Sequence, residues 1–255
     1  MLAVKLIIRG RYWDSQIDAE RLYLFTCDGD LLILHWKNLI RDWRQLDAHH
    51  PATMWAFLDS RALYSPPSQI AISTAVGKRD VIEGLTQLAK LDLEVSKQQL
   101  DEHTAGVQES PFPFPHADAL IHDQVMYGAG AGGVFAARCN EESGRVVIGP
   151  PTKKWDGPTL NVSAASPTLA AAAGSEGAFA LPLGAEPEGA SPRARKRDRK
   201  VVRLYEGHCS AVEWAYESLY CSSHLENGGM AVCSRDRQST RLNSSHRIRH
   251  LMPSS

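Results

Sequence analysis

Apolar and polar positions alternate in residues 21 to 36, RLYLFTCDGDLLILHW, where two apolar runs flank Cys27-Asp28-Gly29-Asp30. This pattern predicts a β-hairpin in which Gly29 supplies the positive φ of a tight turn. Comparable segments recur as RALYSPPSQIAIS (61 to 73), DQVMYGAGAGGVFAARC (123 to 139), PTLAAAAGSEGAFALPL (167 to 183) and ESLYCSSHLENGGMAVCS (217 to 234). Taking Leu22, Leu63, Met126, Leu169 and Leu219 as equivalent anchors, the spacings are 41, 63, 43 and 50 residues. A period of some 40 to 50 residues predicts repeated sheets, each too small to bury its own faces. The longer second interval predicts an insertion.

Within that interval Val81, Leu85 and Leu88 fall on one helical face, predicting a helix near 79–90, and LDLEV at 91 to 95 alternates as a strand does. Leu39, Trp43 and Leu46 predict a short surface helix over 38 to 46, with Trp43 as a packing anchor. The segment 184–200, GAEPEGASPRARKRDRK, has almost nothing to bury and reads as a disordered basic loop between strands. Val4, Leu6 and Ile8 alternate like a further strand, expected to complete the last sheet of a ring.

Composition narrows the function classes. The chain of 255 residues is 43% hydrophobic and 22% charged with formal net charge −1, as in ordinary globular proteins and against a dedicated nucleic-acid binder. No apolar run approaches the roughly 18 to 20 residues that cross a bilayer. Cys27, Cys139, Cys209, Cys221 and Cys233 are scattered and odd in number, which points to free thiols in a reducing cytoplasm rather than a disulfide frame or a zinc cage.

The strand repeats predict an all-β fold, a partial β-propeller of about five imperfect blades with short helical insertions, spanning 1–235. The motifs resemble those of WD-repeat propellers. Trp13-Asp14 and Trp155-Asp156 match the family's dipeptide, and LYEGHCSAVEW at 204 to 214 is similar to its Gly-His segment leading into a strand. The resemblance implies a binding or scaffolding module with a protein or peptide partner and no cofactor. Separately, DRQSTRLNSSH at 236–246 resembles a translated sequencing adapter, so 236–255 is expected to be an artefactual tail and the domain a fragment.

Three constellations carry candidate chemistry. Gly128, Gly130 and Gly133 satisfy G-x-G-x-x-G and resemble the dinucleotide-binding turn of FAD- or NAD-dependent oxidoreductases, a reading that requires a helix from Gly133 to Asn140. The competing reading is a glycine-rich hairpin turn. His116, Asp118 and His122 offer metal-ligating groups that would share one face of a strand. The inter-strand turns, including Asp28, Asp30, Glu176 and Asn227, are the expected binding rim. No G-x-S-x-G, phosphate-loop or H-E-x-x-H motif is present.

Overall fold

The computed structural model describes residues 4–43, 50–57, 70, 73–142, 145–183, 201–215, 218–223, 230–234 and 247–248. It divides into two units, Met1–Glu109 and Ser110–Ser255. Strands dominate the second, the first combines strands with helices, and the sheets of four or more strands are antiparallel.

In the first unit, β1 (Leu6–Ile8), β2 (Tyr12–Asp18), β3 (Arg21–Thr26) and β4 (Asp30–Leu34) precede β5 (Leu93–Val95) and β6 (Thr104–Glu109). The main sheet has the order β2-β3-β4-β6. Its first turn places Ala19 and Glu20 at φ 46° and 67°, the left-handed pair of a tight hairpin, and its second uses Gly29 at φ 91°. The predicted hairpin at 21 to 36 is therefore present.

Between β4 and β6 the chain inserts α1 (Trp36–Asp42), α2 (His50–Phe57), α3 (Ala75–Leu88), β5 and α4 (Lys97–His103). Capping sets two of these helix starts: the Thr74 hydroxyl accepts from the Gly77 N–H, and Ser96 forms a reciprocal capping box with Gln99. Leu22, Leu24 and Leu34 on one face of the sheet pack with Trp36, Leu39, Ile40, Trp43 and Leu88. Trp43 is thus the packing anchor expected, although α1 buries three residues rather than lying on the surface.

One expectation changes here, and another falls almost wholly outside the described residues. β1 pairs in parallel with β5, Leu6 opposite Leu93 and Ile8 opposite Val95, rather than completing a last sheet. The hairpin expected at 61 to 73, with its anchor Leu63, lies outside the described residues except for Ile70 and Ser73, which are helical. Among the described residues no strand lies between Leu34 and Leu93. The long interval is therefore an insertion between the third and fourth strands of one sheet, and the helical part is larger than the short insertions expected.

The second unit runs β7 (Asp118–His122), β8 (Val125–Gly130), β9 (Gly133–Glu142), β10 (Arg145–Ile148), β11 (Thr152–Trp155), β12 (Asn161–Ala165), β13 (Thr168–Ala172), β14 (Ala178–Pro182), β15 (Val202–Tyr205), β16 (Ala211–Ala215), β17 (Ser218–Ser222), β18 (Met230–Ser234) and β19 (Arg247–Ile248). These form three consecutive meanders: β7-β8-β9 with β10 and β11 both on the outer side of β9, then β12-β13-β14-β15, then β16-β17-β18-β19. Pro150 and Pro151, which lack an N–H, separate β10 from β11. The basic loop 184–200 lies outside the described residues, as does the tail apart from 247–248, which pairs with β18.

The alternation of β13 shows how these thin sheets become stable. Leu169 and Ala171 face one way, onto Val125, Tyr127 and Val134 of the preceding sheet, while Ala170 and Ala172 face the other, onto Val212, Trp214 and Leu219 of the next. Both faces are covered, so the strand has no polar face to expose. The anchors Leu22, Met126, Leu169 and Leu219 each occupy the second residue of the second strand of a sheet.

Gly133 and Gly177 open the third strands of two successive sheets at φ 105° and 97°. A Cβ at either would sit 2.0 Å from a carbonyl oxygen of the neighbouring outer strand, that of Trp155 in β11 or Tyr205 in β15. Gly133→Ala and Gly177→Ala are each expected to destabilise the chain by roughly 2 kcal/mol or more, through strain at positive φ plus the backbone clash. Urea denaturation monitored by tryptophan fluorescence measures the loss.

Candidate functional site

The first strand of each meander pairs on one side only, so its outer N–H groups need other acceptors. Side chains from the preceding sheet supply them. The Val162 N–H and the Asn161 Nδ2 both donate to Asp118 Oδ2 at 2.8 Å. Asn161 Oδ1 in turn accepts from the Val212 N–H at 2.8 Å, and Ser163 Oγ accepts from the Trp214 N–H at 3.0 Å. Asp118 and Asn161 both begin the first strand of their sheets, so one geometry repeats from β7 to β12 and from β12 to β16.

At the end of the sheets where second strand turns into third, a further constellation repeats. Lys153 Nζ lies 5.6 Å from the ring centre of Phe135, and the Arg203 guanidinium lies 5.7 Å from that of Phe179. Trp155, at the end of β11, stacks on Phe179 of the next sheet with centroids 4.7 Å apart. Asp156 takes Lys153 Nζ at 2.6 Å, while Arg203 donates from Nε and Nη2 to the Glu176 carbonyl at 3.1 and 2.7 Å. The sequence signal is G-x-x-G-x-F followed by a cation, a spacer, Trp or Tyr, an acid and Gly. It reads GAGGVF…KKWDG at 130–157 and GSEGAF…RLYEG at 174–207. Reading the glycines alone conceals it.

This repeat corrects the dinucleotide reading. The stretch required to be a helix from Gly133 is β9, antiparallel to β8, so no helix N-terminus faces the turn. Two of the three glycines have a local steric reason. A Cβ at Gly128 would enter the Phe112 ring and one at Gly133 would meet the Trp155 carbonyl, whereas one at Gly130 would make ordinary contact with the His116 backbone at 3.4 Å. Gly130 and Gly133 recur as Gly174 and Gly177. The glycine-rich hairpin is the arrangement present.

The metal triad is not assembled. His116 precedes β7 and is buried beside the Phe112 ring, centroids 6.3 Å apart. The Asp118 carboxylate is engaged by Asn161 and Val162, while His122 Nε2 lies 3.2 Å from Asp123 in the hairpin turn. Among the described residues no group of three or more His, Cys, Asp or Glu side chains is arranged to hold a metal.

Of the expected rim, Asp28 and Asp30 are exposed in the turn from β3 to β4, with Asp28 Oδ1 3.6 Å from Arg11 Nη1. Glu176 is exposed in the equivalent turn from β13 to β14, and Asn227 lies outside the described residues. Of the two Trp-Asp pairs, Trp155-Asp156 ends a strand as the resemblance implies, whereas Trp13-Asp14 sits inside β2 at a register shift. Gly207-His208 leads from β15 into β16, and His208 Nδ1 contacts Ser223 Oγ at 2.9 Å.

Cutting Asp118 back to alanine leaves two donors without their acceptor and is expected to cost about 1 to 3 kcal/mol. Asp118→Asn, which keeps one accepting oxygen, should cost less, and thermal melts of both variants check the order. Burial pushes the Cys139 thiol up to about 11, against a smaller opposing effect of the Met126 backbone hydrogen bond. At pH 8 its alkylation by iodoacetamide should be on the order of 100-fold slower than in the urea-unfolded chain, read by mass spectrometry, because only the thiolate reacts.

No family model matches the chain, and no curated protein matches it in sequence. Among solved structures it is similar to Sqt1 from Chaetomium thermophilum, a WD40 β-propeller protein, at 11% identity and a TM-score of 0.41. The match covers 84% of this chain and 42% of that one, so the chain spans less than half the length of the protein it matches.

Proposed function

We propose that the four meanders are blades of an incomplete β-propeller and that the protein is a binding or scaffolding module for a protein or peptide partner in the cytoplasm. The observation that carries this is the repetition, at one end of two successive sheets, of an exposed cation over an aromatic ring beside an acidic residue. Arg and aromatic side chains held in fixed geometry are the commonest anchors of protein interfaces. Here the strands fix them, because at Gly133 and Gly177 the chain lies against the backbone of β11 and β15, at Trp155 and Tyr205. The turn carrying Glu176 adds an acidic group to this end of the second unit's sheets, and Asp28 and Asp30 occupy the equivalent turn of the first unit's own sheet. In the sequence Asn227 falls between β17 and β18. Among the described residues no helix is long and apolar enough to cross a membrane.

Pull-down with the full chain, followed by mass spectrometry and a direct titration of each captured protein, tests the reading. Charge reversal of Lys153 and Arg203 to Glu is expected to weaken the captured partner at least 10-fold while circular dichroism stays unchanged, since a hot-spot loss of about 1.4 kcal/mol or more is tenfold. Affinity unchanged by both reversals and by Glu176→Lys would remove the rim from consideration.

A further inference from the structure

The acceptors that join successive sheets of the second unit sit at fixed places in their first strands, and the last sheet carries one without a donor. Ser163, which accepts from the Trp214 N–H, stands opposite Ala170 in the ladder of β12 and β13. Glu213 stands opposite Tyr220 in the ladder of β16 and β17. Ala170 and Tyr220 each follow their sheet's anchor, Leu169 or Leu219, so Glu213 takes the place of Ser163. It is exposed, and its carboxylate has no partner among the described residues. Ala211, opposite Ser222, takes the place of Asn161, opposite Ala172, and offers no side-chain acceptor. Where β12 supplies two acceptors, Asn161 and Ser163, β16 therefore supplies one, Glu213.

The first unit holds the matching donor. β2 ends its sheet, so one side of it has no partner strand. The tight turn at Ala19 and Glu20 makes Asp18 and Arg21 a hydrogen-bonded pair. Alternation along the ladder then points the N–H groups of Ser15 and Ile17 away from β3. By the same anchors, Ile17 opposite Leu22 takes the place of Trp214 opposite Leu219, and Ser15 that of Val212. The Ser15 N–H is already taken, by Asp14 Oδ1 at 2.6 Å. The Ile17 N–H has no acceptor among the described residues. The donor left on β2 thus stands at the position that the acceptor left on β16 serves.

We propose that copies of this chain associate head to tail, the Glu213 carboxylate in β16 of one copy accepting the Ile17 N–H in β2 of the next. The contact continues between molecules the bond that joins β12 to β16 through Ser163 and Trp214. Leu22 and Leu24 are covered by the insertion, which confines the contact to the outer edge of β2. A glutamate reaches farther than a serine, so the bond forms without the close approach of sheets that Ala170 and Ala172 permit inside the chain. Because the two surfaces differ, each copy keeps one half free and the assembly grows as an open chain rather than stopping at a dimer. The inference rests on the bonds between sheets and is independent of the rim reading.

Sedimentation equilibrium of the full chain over a concentration series tests it. Expected is reversible growth past the dimer, weakened about 10-fold or more by Glu213→Ala. Glu213→Gln, which keeps an accepting oxygen, should retain association, and both variants should melt as the wild type does because the position is exposed. Ile17→Pro removes the N–H on the unpaired side and should also stop growth. Mixing it with Glu213→Ala should restore a one-to-one pair, since each variant keeps the half that the other lacks. Should Ile17→Pro melt early, amide hydrogen exchange of the wild type replaces it, with protection of Ile17 expected to rise with concentration. A monomer at every concentration, association unchanged by Glu213→Ala, a mixture that does not pair, or Ile17 exchange that ignores concentration would overturn the proposal. Association lost on Lys153→Glu with Arg203→Glu and kept by Glu213→Ala would assign the contact to the rim and overturn it too.

Discussion

Everything in the second unit depends on how the N–H groups along the unpaired side of each first strand are satisfied. A backbone donor left without a partner in a closed environment costs as much as a lost hydrogen bond. Asp118, Asn161 and Ser163 accept these donors across successive sheets. The same bonds set the distance and register between sheets, which allows Ala170, Ala171 and Ala172 to pack from both sides. Larger side chains on β13 would separate the sheets and break those bonds. The hydrogen-bonded edge and the small-residue strand are therefore one constraint seen from two directions.

The two units apply similar sheets to different ends. In the second, the cation, aromatic and acidic residues near Phe135 and Phe179 are the recurrent feature at one end of the sheets. In the first, the connection from β4 to β6 is long enough to fold back over the sheet, with Leu88 and Leu93 almost fully buried beneath it. That insertion shields one face with apolar packing and leaves a cavity lined by Leu32, Val95 and Leu100.

Much of the strand pattern was legible because alternation and turn chemistry are local. The hairpins around Gly29, at 123 to 139, at 167 to 183 and at 217 to 234 follow from residues within a dozen positions of one another. So does the start of α4, where Ser96 and Gln99 cap each other. What misled was also local: Gly128, Gly130 and Gly133 satisfy a nucleotide fingerprint, yet Gly128 and Gly133 are glycines for steric reasons supplied by Phe112 and Trp155, and all three lie in the hairpin of β8 and β9. The matching positions of His116, Asp118 and His122 likewise suggested a metal until Asp118 proved to be the acceptor for the next sheet.

The sequence by itself determined the second-strand anchors, the hairpin turns, the helix near 79–90 and the recurrence that predicts repeated sheets. Tertiary structure alone decided that β1 joins β5, that the long interval lies within one sheet, and that Asn161 bridges from Asp118 to Val212. The reason is physical. Periodicity and φ preferences act over a few residues, whereas the pairing of Leu6 with Leu93 or of Asp118 with Val162 is chosen by competition among distant partners for the same backbone groups and the same buried volume.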